Sequence, residues 1–466
     1  MFPLPVIKEP KPSNFDLHHP PDPALIDDCV HCGFCLPACP TYVLWGEEMD
    51  SPRGRIYMMK KTTTGEAPLD RRFQQHMDNC LGCMACMTAC PSGVQYNKLI
   101  EDTRAQVERN IPRTTSDSLF RRMLFATFPY ANRLRLLALP LLVYQRSGMQ
   151  RLVRATGLLR LLPKQLSAME SLLPTVPTIL FRRLPAHTQP NAVPRLRVGM
   201  LAGCVQQVFF QHVNEATIRV LAAEGCEVFI PQSQQCCGAL MVHSGLEAAA
   251  ADFARRMIAT FEKANVDVIV INAAGCGSTM KEYGHLLRDD PAWAARAVNF
   301  SAKCKDISEI LCDLPTQSPR HPLSMRIAYH DACHLRHAQA IFEQPRHLLA
   351  TIPGLKVVEV EEMNLCCGSA GVYNLLHPDA ANQLGDRKVT HLLATKAQAV
   401  ISANPGCLIQ LMNGLRRRGL DTMPTFHMVE LLDASIRGIS PATLLQSKHL
   451  VLRENVSNAA ECVSQN

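Results

Sequence analysis

The sequence of 466 residues lacks a long hydrophobic segment. Its longest apolar run, Leu136–Gln145, lies between Arg135 and Arg146 and is much shorter than the roughly 20 residues that span a bilayer. The segment Met1–Lys8 does not show the charged and then apolar pattern of a signal peptide. We therefore predict that the chain does not cross a membrane by itself and that it resides in the cytoplasm.

Glycine-rich nucleotide-binding loops are also missing. The sequence contains neither a G-x-G-x-x-G motif nor a P-loop, and the short glycine pair Gly275-Cys276-Gly277 belongs to a cysteine motif. We therefore expect no FAD or NAD in this chain. No recognition helix for DNA is apparent, and we expect no nucleic-acid partner.

Acidic residues are scarce in one segment. Between Ile111 and Arg197, 14 Lys and Arg residues are accompanied by only Asp117 and Glu170, a local balance of +12, while the rest of the chain sums to −5. The segment is rich in leucine and poor in aromatic residues, and Pro129, Pro140, Pro163 and Pro174 punctuate it. This pattern predicts basic helices that lie on a partner or on the inner face of the cell membrane rather than on nucleic acid.

Cysteine, in contrast, is abundant, with 20 residues. Disulfide scaffolds are usually short secreted chains, whereas ordered sets of reduced thiols in a long intracellular chain indicate metal binding. Eight of the cysteines form two runs with the spacing C-x2-C-x2-C-x3-C-P, at Cys29, Cys32, Cys35 and Cys39 and at Cys80, Cys83, Cys86 and Cys90.

This double run predicts two [4Fe–4S] clusters, because bacterial ferredoxins use the same spacing and exchange the fourth cysteine between clusters. Structural zinc sites, the alternative, commonly use paired C-x2-C knuckles rather than two such triplets. The neighbouring His31 and His76 are expected to be unligated surface residues. The predicted ligands are Cys29, Cys32, Cys35 and Cys90 for cluster 1, and Cys80, Cys83, Cys86 and Cys39 for cluster 2.

The C-terminal half contains an internal repeat. A single cysteine, a Cys-Cys-Gly triplet and another single cysteine occur twice, and matching cysteines are offset by 129, 130, 130 and 131 residues. Two copies of one domain explain these offsets. Short β-branched runs alternate with helical patterns across residues 196–436 and predict parallel α/β sheets. The first copy contains Cys204, Cys236, Cys237 and Cys276, and the second contains Cys333, Cys366, Cys367 and Cys407.

Single cysteines of the repeat follow predicted strands. Because the carboxyl ends of parallel strands meet at one edge of a sheet, the four thiols of each copy are expected to converge. The strand-to-cysteine pairs are Arg197–Leu201 with Cys204, Val266–Asn272 with Cys276, Arg326–Tyr329 with Cys333, and Ala399–Ser402 with Cys407.

Adjacent cysteines followed by glycine favour metal or redox chemistry. Two thiolates from one turn can bind a metal, and glycine lets the backbone approach closely. An iron–sulfur cluster, a zinc ion and a thiol/disulfide switch all remain open for each site. His330 and His334 flank Cys333 and could join a site as ligands, although residues in such positions more often orient a ligand or cap a helix. The remaining cysteines, expected to be ordinary thiols, are Cys226, Cys304, Cys312 and Cys462.

The order of two ferredoxin runs, a basic linker and two vicinal-cysteine domains resembles the iron–sulfur subunit of glycolate oxidase. The likeness covers about residues 25–435 and is weakest in the linker. The stretches that carry it are Cys29–Cys39 with Thr41-Tyr42, Ser51–Tyr57, Cys90–Val94, Gly275–Gly284, His337–Gln339 and Leu365–Tyr373.

The vicinal-cysteine domains are also similar to those of heterodisulfide reductases, which hold an unusual non-cubane cluster. In that family a further cysteine follows the last one by three residues. Here those positions are Thr279 and Gln410, so each site keeps four cysteines and an identical cluster is in doubt.

The resemblance implies an electron-transfer subunit. Flavin-bearing partner subunits would oxidise glycolate to glyoxylate, and electrons would pass through this chain to a quinone or another acceptor. The alternatives are the cluster subunit of a lactate or glycerol-3-phosphate dehydrogenase, a thiol/disulfide enzyme like heterodisulfide reductase, and a non-catalytic iron–sulfur sensor.

We therefore predict an α+β multi-domain protein with a helical ferredoxin-like module, a basic helical linker and two repeated α/β domains. The predicted segments are a Pro-rich start (1–24), the two-cluster module (25–110), the linker (111–195), the first cysteine-rich domain (196–320), the second (321–436) and a C-terminal tail (437–466).

Overall fold

The computed structural model describes residues 12–178, 180–190 and 193–446. Residues 1–11 of the predicted Pro-rich start, most of the predicted tail and Cys462 lie outside these ranges. In the described part, short helices dominate the N-terminal third, and two parallel sheets with flanking helices follow. The predicted α+β architecture is confirmed.

The N-terminal module is helical, with helix starts set by capping residues. Ser51 accepts a hydrogen bond from Gly54 N and Asp70 accepts from Phe73 N, so each satisfies a free amide of its helix. Proline occupies the first position where its missing N–H costs nothing. The helices are Pro23–Asp27, Pro40–Trp45, Glu48–Asp50, Pro52–Thr63, Arg71–Asn79, Ala85–Thr88 and Tyr96–Asn110.

The linker is helical, as the leucine-rich pattern predicts, but Pro140 does not end a helix there. It lies inside Ala131–Arg146. A proline removes one backbone hydrogen bond from a helix. Here Leu134 and Ala138 before Pro140, and Leu141 and Leu142 after it, pack in one cluster with Val208, which stabilises the helix on both sides of the proline. The linker helices are Thr115–Thr127, Ala131–Arg146, Met149–Ala155, Leu158–Leu161 and Lys164–Ser171.

The first α/β domain contains a five-stranded sheet with strand order β1-β3-β2-β4-β5. Only β1 is antiparallel to its neighbour. The strands are β1 (His187–Thr188), β2 (Leu196–Met200), β3 (Cys226–Phe229), β4 (Val268–Ile271) and β5 (Cys304–Asp306), and the helices are Gln206–Phe209, Gln211–Ala223, Ala239–Val242, Glu247–Ala264, Ala274–Lys281, Tyr283–Leu286, Ala294–Lys303 and Ile307–Asp313.

The second α/β domain contains a four-stranded parallel sheet with strand order β7-β6-β8-β9. The strands are β6 (Met325–His330), β7 (Leu355–Val358), β8 (Ala399–Ser402) and β9 (Thr425–His427), and the helices are His334–Ala338, Glu343–Ala350, Tyr373–Leu376, Pro378–Ala394, Pro405–Arg417 and Met428–Ile436.

The two sheets repeat one another strand for strand. Strands β6, β7, β8 and β9 take the positions of β2, β3, β4 and β5, with the same neighbours and all pairs parallel. Both β6 and β7 begin 129 residues after their counterparts, and β8 begins 131 after β4, which matches the cysteine offsets. Each predicted strand before a single cysteine is present, shifted by two residues at most.

The two α/β domains share one hydrophobic core. Ile310 and Leu311 of the first domain and Leu348 and Leu349 of the second are buried in the same cluster. Burying aliphatic side chains of this size contributes roughly 1.5–3 kcal/mol each. The shared core therefore couples the two repeats and holds their cysteine loops in a defined relation.

Candidate metal centres

The first three thiols of the second ferredoxin run are buried and face one another. Burial raises the pKa of Cys86 well above its ordinary value, and the charges of Cys83, Cys80 and Cys39 raise it further. Cys39, from the end of the first run, is thus close to the second triplet. Burial also raises the pKa of Cys29, and the charges of Cys90 and Cys32 add to the effect. The fourth cysteine of each run therefore lies beside the triplet of the other run.

A buried arginine lies behind these thiols. Arg55 is fully buried, and its guanidinium donates to Asp50 Oδ1 at 3.0 Å and to Thr41 Oγ1 at 3.2 Å. Burial alone would lower the pKa of Arg55. Nearby negative charges, of which that of Cys80 has the largest effect, outweigh burial and raise this pKa. The same cation acts on Cys80. Burial would raise the pKa of this thiol, but the positive charges of Arg55 and Arg104 lower it, and the net shift is downward. The arginines therefore favour the thiolate that a cluster needs.

His76 is half-buried rather than on the surface. Its Nδ1 lies 3.1 Å from Asp50 Oδ1, and Asn79 Nδ2 donates to the same carboxylate. The histidine completes the shell of a buried aspartate, which explains why it is sheltered. His31 is exposed.

The first vicinal site brings its four cysteines into contact. The side chain of Cys236 hydrogen-bonds with those of Cys204 and Cys237, and that of Cys237 with Cys276. These contacts and burial raise the pKa of Cys236 and of Cys276 well above the ordinary value. A metal ion or cluster would relieve this crowding of thiols, and all-sulfur donor sets suit zinc and iron–sulfur clusters.

The second vicinal site has the same plan. Cys366 Sγ lies 3.8 Å from Cys333 Sγ, and Cys367 is in contact with Cys407. Asn404 Nδ2 donates to Cys407 Sγ at 3.4 Å. The chemistry of this donor set fits the same metals as the first site.

Glycine after each Cys-Cys pair has a steric reason. Gly238 and Gly368 have positive φ angles of 79° and 89°, and each donates its N–H to the first sulfur of its pair at 3.4 Å. A Cβ on Gly368 would lie 2.6 Å from the carbonyl oxygen of Ala381. Any larger residue would therefore displace the loop that presents the thiols.

The ferredoxin module packs directly against the second vicinal site. Leu81 and Cys83 share a buried cluster with Leu365 and Cys366. Burial raises the pKa of Cys83, and the charge of Cys333 is the next largest cause. Thiols of the second ferredoxin run and of the second vicinal site are therefore near neighbours.

Two histidines hold this interface together. His334 Nε2 donates to the carbonyl oxygen of Gly82 at 2.8 Å, and its ring stacks on that of His243. His337 Nδ1 lies 2.9 Å from Thr88 Oγ1, and its Nε2 donates to Asn364 O at 3.1 Å. His334 thus positions the ferredoxin loop, a role that its place beside Cys333 did not reveal.

The first vicinal site instead opens toward a basic cavity of about 470 Å³. Cys204 and Cys236 lie in its wall, and none of the described residues that line it carries a carboxylate. Arginines come to the cavity from the linker, from the segment before β2 and from a helix of the first domain. They are Arg133, Arg135, Arg182, Arg183 and Arg256.

Comparison with known proteins agrees with this arrangement. A model of the "Glycolate oxidase iron-sulfur subunit, linker region" matches residues 116–173, the cysteine-rich domain matches 198–281 and 327–412, and a 4Fe-4S dicluster domain matches 25–94. A "Probable glycolate oxidase iron-sulfur subunit" of Bacillus subtilis is 39% identical over 87% of this chain and 93% of its own length. The chain belongs to the glycolate oxidase iron–sulfur subunit family. The resemblance seen in the sequence is confirmed.

Two further relatives are also similar to this chain. The glycolate oxidase iron–sulfur subunit of Escherichia coli is 33% identical over 89% of this chain and 95% of its own length. A "Lactate utilization protein A" of an Exiguobacterium strain is 31% identical over 52% of this chain and 98% of its own length.

Within the described residues, none of the helices has the length and apolar character that crossing a bilayer requires.

Proposed function

We propose that this chain conducts single electrons from flavin-bearing glycolate oxidase subunits to a quinone or another acceptor. As a family member it is an iron–sulfur electron-transfer subunit of a glycolate oxidase complex. The observation that carries the proposal is the contact between the ferredoxin loop at Cys83 and the vicinal site at Cys333 and Cys366. That contact places two thiol sets side by side inside one chain.

The proposed ligand sets are those that the sequence predicts. Each [4Fe–4S] cluster, when bound, supplies reversible one-electron transfer. The chain positions the thiolates, excludes water by burying Cys80, Cys83 and Cys86, and stabilises negative charge with Arg55 and Arg104. The sets are Cys29, Cys32, Cys35 and Cys90; Cys80, Cys83, Cys86 and Cys39; and, at the vicinal sites, Cys204, Cys236, Cys237 and Cys276, and Cys333, Cys366, Cys367 and Cys407.

Substrate oxidation is assigned to the partner subunits. The purified chain alone should show no glycolate:dye activity and bind no flavin, whereas adding the flavin subunits should restore transfer to the acceptor. Oxidation of any 2-hydroxy acid by the isolated chain would refute this division. If D-lactate or glycerol 3-phosphate reduced the complex far better than glycolate, the substrate assignment would change and the electron-transfer role would stand.

The vicinal sites are proposed to bind metal. Anaerobically prepared protein should then contain more iron than the about eight atoms of two cubane clusters, or iron plus zinc. Cys236→Ser and Cys366→Ser should each lower that content, measured by elemental analysis. Cys226→Ser, which replaces a buried thiol outside both sites, is the matched control. Unchanged metal content in both site variants would leave only a thiol/disulfide switch.

The linker is proposed to bind an anionic membrane surface. Leu136 and Val143 are 62% and 65% exposed and lie seven residues apart on one helix face, with Arg146 and Arg151 nearby in the chain. Basic residues beside exposed apolar ones are typical of interfacial helices. The excess of positive charge in the linker matches the negative charge of such a surface.

Cosedimentation with lipid vesicles tests this proposal. Binding should be strong with anionic vesicles, weak with neutral ones, and lowered by high salt, because salt screens charge. The double variant Leu136→Glu and Val143→Glu should lower binding, while Val298→Glu, at an equally exposed apolar residue of the first α/β domain, should not. If the amount of bound protein depended neither on salt concentration nor on lipid charge, electrostatic attachment would be contradicted.

A further inference from the structure

His330 is a buried histidine whose ring nitrogens have no hydrogen-bond partner in the described part of the chain. It ends β6, is 2% exposed, and both Nδ1 and Nε2 are shielded from solvent. Burying an imidazole without partners is costly, and nearly all buried polar side chains in proteins are satisfied. The position of His330 therefore calls for a ligand.

The ring faces the second vicinal site. A ring nitrogen of His330 and the sulfurs of Cys367 and Cys407 all lie within 4.8 Å of one another, and all three residues are buried. Histidine nitrogen and cysteine sulfur are the donors that zinc and iron accept together. The geometry is that of a mixed donor set contributed by the end of β6, by the helix Pro405–Arg417 that follows β8, and by the Cys-Cys loop.

The two neighbouring histidines of this domain each have at least one ring nitrogen in a hydrogen bond, whereas His330 has none. His334 donates to Gly82, and both nitrogens of His337 have partners. Gln410, which occupies the position of the further cysteine in heterodisulfide reductases, hydrogen-bonds with Asn374 and Ala381 and is thereby held. Of these residues, His330 alone has two buried ring nitrogens without a hydrogen-bond partner and lies within reach of Cys367 and Cys407.

Among the described residues, no histidine is grouped in this way with the cysteines of the first vicinal site. The residue that corresponds to His330 at an offset of 129 is Leu201, which is fully buried and has no ligating atom. The two sites share four cysteines and differ at this position. The repeat has therefore diverged in its donor chemistry while keeping its fold.

We propose that His330 ligates the metal centre of the second vicinal site through a ring nitrogen, so that this centre has mixed histidine–thiolate ligation and the first has thiolate ligation alone. This inference rests on the proposed metal binding at the vicinal sites. A neutral imidazole adds no negative charge, so an iron centre in which His330 takes the place of one thiolate has a higher potential, as in other iron–sulfur proteins with histidine ligands. The centre beside Cys83 is thereby better suited to accept an electron than an all-thiolate one.

Full-length protein labelled with ¹⁵N-histidine tests the proposal on the unaltered chain. If the second site holds iron, pulsed EPR of the reduced protein should show a histidine nitrogen coupling. If it holds zinc, X-ray absorption at the zinc edge should show a nitrogen shell at about 2.0–2.1 Å beside sulfur at about 2.3 Å. Metal bound at this site with no histidine nitrogen in its shell would overturn the proposal and leave the electron-transfer role intact.

Two variants assign the nitrogen. His330→Ala should abolish the nitrogen signal and lower metal affinity of the site at least about tenfold, because even outer partners of ligands cost 10–100-fold. His330→Cys should keep the metal and lose the signal, which covers the case in which the alanine variant does not fold. His334→Gln, at a buried histidine that already has a partner, should keep the signal. A nitrogen signal that persists in both His330 variants would refute the assignment.

Discussion

Replacing Cys83 with serine should remove one cluster and stop electron transfer through the complex while leaving flavin reduction by glycolate intact. Cys83 is a proposed ligand of cluster 2 and its loop packs on Cys366, so the change affects both a cluster and the contact to the next site. Misplacing reacting groups by about 1 Å already costs about 100-fold, so losing one should lower transfer to the acceptor by at least that factor.

The measurement separates the two half-reactions. Stopped-flow absorbance follows flavin reduction by glycolate, and steady-state assays follow reduction of the acceptor. Cys312→Ser is the matched control, because Cys312 is half-buried and is neither one of the repeated cysteines nor part of a ferredoxin run. If Cys83→Ser slowed flavin reduction as much as acceptor reduction, hydride removal would not lie upstream of the clusters.

Arg55→Met should destabilise the ferredoxin module by about 3–5 kcal/mol, the cost of leaving one partner of a buried ion pair uncompensated. The carboxylate of Asp50 would stay buried with its cation removed. The cation beside Cys80 would also be lost, so the reduction potential of the neighbouring cluster should fall.

Arg53→Met provides the matched control from the same helix. Arg53 pairs with Glu48 in a largely exposed setting, and such pairs contribute about 0–1 kcal/mol. Guanidinium titration under anaerobic conditions, followed by the visible absorption of the clusters, measures the free energy of unfolding. Equal losses of stability in the two variants would show that the buried pair is not a special support of the module.

Local sequence patterns predicted the parts of the structure that depend on short-range spacing. The gaps between cysteines indicated which thiols come together, and the offsets of the repeat agree with strand starts such as Leu196 and Met325 to the residue. Turn chemistry and strand periodicity act over a few residues, so one sequence is enough to read them. The limit of this reasoning is visible at Pro140, where packing outweighs a local helix-breaking signal.

Contacts between distant segments could not be read from the sequence. Arg104 reaches the carbonyl oxygens of Cys80 and His243, and no spacing rule relates these three positions. His330 occupies the position in the second repeat that Leu201 occupies in the first. Whether a histidine there can bind a metal depends on which side chains face it. Burial and the absence of other partners are tertiary properties.

EPR spectroscopy of the anaerobic complex after mixing with glycolate shows whether electrons pass through the clusters of this chain. We expect reduced-cluster signals from this chain to appear after flavin reduction and before the acceptor is reduced, and we expect Cys83→Ser to remove one of them. Reduction of the acceptor while every cluster in the chain stays oxidised, or a chain that holds zinc with little iron, would contradict this expectation.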